Sequence, residues 1–177
     1  MMPRGRRERP TEPGTTSVAS YIRTQATITA LVNVVVNPLL GWVTNRGKDF
    51  IPLWSLEGIS LDLVLTSIIL SVLVALFAAG GAHRELRAGH LTTTPGSPRA
   101  GPVLSRLPSG AWPLGLLIGV AAAVVATLVV WILHLLGLTG LSFWAFLLLK
   151  AVYGGCLGCL VARWVILRQL AEVNASR

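Results

Sequence analysis

The chain has 177 residues, of which 53% are hydrophobic and only 12% charged, with a formal net charge of +8. A soluble domain carries about 25% charged residues. With a mean hydropathy of +0.69, this composition excludes an ordinary soluble domain and a disordered chain alike. What remains is a multi-span membrane protein, and the uncharged runs locate its spans.

The stretch from Met1 to Ser20 is basic and rich in Pro, Gly and Thr. The apolar segment behind it is too long for a signal-peptide core and shows no small-x-small cleavage site. Residues 1–19 therefore read as a basic, disordered tail ahead of a retained first span. A helix needs about 20 apolar residues to cross roughly 30 Å of hydrocarbon. Thr24 to Asn45 carries no charge and gives span one; Leu63 to Ala82 gives span two, with Asp62 at its entry. Ala111 to Leu149 is one uncharged stretch. As a single helix it would be about 58 Å long. Gly137-Leu138-Thr139-Gly140 is the natural turn, since glycine ends helices. Span three then covers Trp112 to Leu136, and span four Leu141 to Val165 with Lys150 inside it.

Basic residues orient the spans. The N-terminal tail carries Arg4, Arg6, Arg7, Arg9 and Arg23, the middle loop Arg84, Arg87, Arg99 and Arg106, and the C-terminal end Arg163, Arg168 and Arg177. The other two connections hold only Arg46 and Lys48. By the positive-inside rule both termini and the middle loop are cytoplasmic, and tryptophans at the span ends fit interfacial belts. The same distribution argues against nucleic acid, because the basic residues flank apolar runs and do not form a face. The predicted fold is an all-α integral membrane four-helix bundle, N-in and C-in, made of two helical hairpins over 20–81 and 111–168. A Pro/Thr/Arg-rich cytoplasmic loop over 82–110 joins them, and 169–177 forms a second cytoplasmic tail. Arg- and Ala-rich usage points to a bacterial cell membrane.

Ionisable groups in hydrocarbon cost about 2.5–3.5 kcal/mol on insertion scales, so each needs a reason. Helical side chains lean toward the N-terminus of their helix, and the Lys150 ammonium therefore snorkels outward, toward the level of Asp62. The two can pair if spans two and four are neighbours. The pair is either an ion-sensitive site or a static lock. Asn33 and Asn37 share a face of span one beside Pro38, as lining of a polar cavity or as interhelical hydrogen-bonding glue, the glue being favoured. With His134, these residues occupy the outer half of the bilayer, which suggests an outward-facing polar pocket at the bundle centre. They are the ligand or ion-pathway candidates.

Small residues mark helix contacts: Gly115, Gly119 and Ala123 on span three, Gly154 and Gly158 on span four, within the monomer or across a homodimer. Cys156 and Cys159 lie deep in an apolar run and read as packing residues, not as a redox motif or half a zinc site. Ser60, Ser67 and Ser71 give span two a moderately polar face. No Walker A, GxGxxG, HExxH or EF-hand pattern is present, and no catalytic residue, metal or cofactor is expected. The first functional expectation is a small transporter or transport subunit; the alternative is a non-catalytic partner of another membrane complex. A lipid- or isoprenoid-modifying enzyme ranks third. The lipid bilayer is the one partner the composition itself demands.

Overall fold

The computed structural model describes residues 17–88, 108 and 110–175. The tail over 1–16, most of the 82–110 loop with its Thr-Pro-Gly-Ser-Pro run, and the last two residues lie outside the described residues. Four long helices dominate: α1 Val18–Asn45, α2 Ile59–Arg87, α3 Ala111–Leu135 and α4 Phe143–Ala175. Each contains a stretch long and apolar enough to cross a membrane. Four such helices mark a multi-pass membrane protein.

The helix ends follow local chemistry. Ser17 caps α1, its hydroxyl accepting from the Ser20 amide at 3.2 Å, so the helix starts a turn and a half before the uncharged run. α1 continues unbroken through Pro38. α3 closes in a Schellman turn, with the Leu138 amide bonded to the Leu133 carbonyl at 3.1 Å and the Gly137 amide to the His134 carbonyl at 3.0 Å. Gly137 has φ +88°, which glycine adopts without strain. α2 runs on to Arg87 and α4 to Ala175, past the hairpin boundaries drawn at 81 and 168.

Two short strands were not anticipated. β1 Phe50–Pro52 lies in the α1–α2 connection and β2 Gly140–Ser142 in the α3–α4 connection. They pair antiparallel, with Ile51 opposite Leu141. Backbone bonds from Leu53 to Thr139 at 2.9 Å and from Phe143 to Asp49 at 3.1 Å extend the ribbon at both ends. A Cβ at Gly140 would strike the Phe50 ring and the Ile51 carbonyl, so only glycine admits this approach.

The packing order corrects the hairpin picture. α1 packs on α4 and α2 on α3, with α2 and α4 in contact between them, whereas α1 and α2 hardly touch and α3 meets α4 only lightly. Each hairpin is open, and the core forms between hairpins. Exchanging the two hairpins maps the α1–α4 contact onto the α3–α2 contact and leaves α2–α4 and the ribbon in place, a pseudo-two-fold pattern. The apolar core sits mid-bundle on α2, α3 and α4 around Val74, Leu114 and Val161. A second cluster of Ile51, Leu53, Ile59, Leu63 and Phe146 lies at the ribbon end.

α1 is built inside out. Its buried residues include Asn33, Asn37, Gly41 and Asn45, while Leu31, Val32, Val35, Leu39, Leu40 and Val43 are exposed. In water an apolar surface of this extent would drive association. In lipid it is the solvated face, and the polar stripe belongs inside.

Candidate functional site

The small-residue stripes are spent within the monomer. On α3, a Cβ at Gly115 would meet Ala75 at 2.6 Å, and one at Gly119 would meet the Ser67 carbonyl at 2.9 Å and Ser71 at 3.1 Å. Ala123, one turn further on, is also buried. On α4, a Cβ at Gly154 would meet Asn37 and one at Gly158 the Asn33 amide at 2.8 Å. α2 and α3 therefore approach backbone to backbone, whereas the α4 glycines receive side chains of α1. The serine face of α2 is part of this packing: Ser67 and Ser71 are fully buried, and Ser67 bonds the Leu63 carbonyl at 2.6 Å and the Tyr153 hydroxyl.

Asn33 and Asn37 seat in the α4 notches without bonding across them. The Asn33 amide donates to the Thr29 carbonyl at 2.8 Å, and the Asn37 amide to the Asn33 carbonyl and side-chain oxygen at 3.3 Å. The favoured interhelical glue is thus steric rather than hydrogen-bonded. Each amide satisfies itself on its own helix and fills a hole that a glycine leaves.

One turn beyond, the stripe opens at Gly41. A Cβ there would come within 2.8 Å of the Lys150 side chain and 3.3 Å of Phe146 and Leu147. The space carries the aliphatic stem of Lys150 from α4 past α1 toward α2. Its ammonium donates to Asp62 Oδ1 at 2.8 Å and lies 5.6 Å from the centroid of the Phe146 ring, within cation–π range. Lys150 is only 4% exposed, Asp62 26%. Asp62 sits in the first turn of α2, where a carboxylate is favoured by the helix dipole. Its second oxygen, Oδ2, is buried and has no hydrogen-bond partner among the described residues.

Because α1 and α2 stand apart, a groove of about 580 Å³ runs between them, floored in part by Lys150. Its walls are apolar: Ile28, Val32 and Val36 on α1, Leu65, Ile69 and Leu73 on α2. Asp62, Lys150, Asn33 and Asn37 all line it. The polar residues are thus brought together in a cleft between α1 and α2, and not in a central pocket. His134 stands apart. It is exposed in the last turn of α3, its ring edge-on to Trp54 with centroids 6.4 Å apart.

Gly41 and Asn45 escaped the sequence reading, although they continue the four-residue spacing of Asn33 and Asn37. Cys156 is exposed and Cys159 half-buried, so Cys156 does not pack within the monomer: it lines a second depression between α1 and α4. At the ribbon end Lys48 pairs with Glu57 at 2.6 Å. That hydrogen bond, and the lysine's charge, hold the Glu57 carboxyl below the ordinary carboxylate range. No protein-family model matches this chain, and no curated protein or solved structure matches it either.

Proposed function

We propose that the chain is a small transporter or transport subunit of the cell membrane, handling a solute that enters the α1–α2 groove from the bilayer. The observation that carries this reading is the groove itself: apolar walls along the span, and a charge pair with an uncommitted carboxylate oxygen at one end. A site of that composition suits an amphiphile better than a hydrated ion. The basic flanks orient both termini to the cytoplasm and the ribbon to the far side, which puts Asp62 and Lys150 in the outer half of the bilayer.

The test is genetic and chemical. Deleting the gene changes the distribution of one lipid or metabolite class between cells and medium. Wild-type protein restores the distribution; Lys150→Met at equal protein level does not. An unchanged distribution on deletion, or full rescue by Lys150→Met, would contradict the reading.

A second reading, an accessory protein whose groove receives a partner's transmembrane helix, is favoured by one feature. The groove extends from Thr44 and Asp62 to Gln25 and Ala78, most of the span. Its signature is a membrane protein that co-purifies with wild type and is lost on Ile69→Trp, which fills the groove.

A further inference from the structure

We infer that the molecule taken by the α1–α2 groove is an uncharged lipid alcohol, a single long apolar chain ending in a hydroxyl, with that hydroxyl donating to Asp62. This rests on reading the groove as a ligand site and adds the chemistry of the ligand.

The charge balance sets the first constraint. Asp62 and Lys150 neutralise each other at 2.8 Å, and no other charged residue lines the groove among the described residues. Lys150 is held in place by the Gly41 notch and the Phe146 ring. A ligand carrying net charge of either sign would leave an excess charge in low dielectric, which is the costliest outcome available there.

The unmet hydrogen-bonding capacity sets the second. A carboxylate offers about four lone-pair sites and donates nothing; Lys150 uses Oδ1, and Oδ2 has no partner among the described residues. An unpaired buried acceptor is unfavourable and is relieved by any neutral donor. The Asp χ2 torsion is broad, so a modest swing turns Oδ2 toward the groove. A hydroxyl supplies the donor and adds no charge.

The shape sets the third. From Asp62 to Ala78 the α2 wall is about 24 Å long at 1.5 Å per residue, close to the hydrocarbon thickness. Leu65, Ile69, Leu73 and Phe77 line it in sequence. That track suits one extended chain with its head at Asp62.

The experiment places the full chain in phosphatidylcholine nanodiscs. Four probes share one alkyl chain with a diazirine near its tail and end in a hydroxyl, a methyl ether, an ammonium or a sulfate. Photolabelled residues are mapped by mass spectrometry. The alcohol labels Ile28, Leu73 and Phe77, the lining at the tail end of the groove, at least about tenfold more than the ether, a ratio equivalent to one good hydrogen bond, and more than either charged probe. In Asp62→Leu/Lys150→Met the alcohol and ether label equally. Equal labelling of wild type by alcohol and ether overturns the hydroxyl assignment but leaves the groove reading standing. A lead for the ammonium or the sulfate overturns neutrality. No labelling of the groove by any probe overturns the groove reading with it. The wild-type ratio decides even if the double variant fails to fold.

Discussion

Lys150 reaches Asp62 because α1 yields at Gly41, so one glycine and one ion pair form a single device. Breaking a buried pair leaves a charge stranded, whereas replacing both members with apolar groups is nearly neutral. Asp62→Asn strands the almost fully buried ammonium and costs about 3 kcal/mol. Lys150→Met strands a carboxylate that keeps some solvent access, and costs about 1–2 kcal/mol. Asp62→Leu/Lys150→Met stays within about 1 kcal/mol of wild type. Thermal unfolding in detergent checks the cycle, and additive losses would contradict it. Gly41→Val drives a side chain into the lysine stem, with an overpacking cost of about 1–3 kcal/mol. The same melts show it, and Lys150→Ala in the same chain relieves part of the loss. The candidate pair was legible in the sequence because charges are rare in apolar runs. Gly41 was not, since a single glycine in a membrane helix has many ordinary reasons to be there.

At the scale of the elements, the spans were legible because hydropathy reports what a helix can immerse in lipid. Their ends were less so: Ser17 extends α1 upstream by capping, and α4 runs beyond the uncharged stretch. The ribbon left no periodic signal. Phe50-Ile51-Pro52 and Gly140-Leu141-Ser142 are too short for alternation to register, and Pro52 argues against a strand by itself. Only their partner makes them strands. The neighbouring Lys48–Glu57 pair gives a pH test. Glu57 has its carboxyl pKa lowered in the folded chain, so any stability it adds is present above the ordinary carboxylate range and is lost as pH falls through the depressed folded value. The pair is solvent-exposed, and such pairs contribute little. NMR titration therefore finds the Glu57 carboxyl moving up toward its ordinary value in Lys48→Ala, with the unfolding midpoint unchanged. An unmoved Glu57 would contradict the pairing.

For the whole molecule, the number of spans was readable and their neighbours were not. Adjacent segments with a short connection invite a closed hairpin, yet α1 finds its glycine holes on α4 and α2 receives the glycines of α3. The deciding fact is complementarity between faces far apart in sequence: Asn33 with Gly158, Asn37 with Gly154, Ser67 with Gly119. A stripe of small residues announces a contact without naming its partner. This packing is also what leaves α1 and α2 separated, so the groove, its polar end and any ligand it takes all depend on it. Disulfide trapping in membranes tests it most directly, using Cys156→Ser/Cys159→Ser as background and introducing cysteine pairs at 34 with 155, 71 with 119, and 36 with 69. Mild oxidation links the first two pairs, across α1–α4 and α2–α3, and leaves the third, across the groove, reduced. Linkage of 36 with 69 as fast as the others, or failure of both of the first two, would contradict the open groove and everything built upon it.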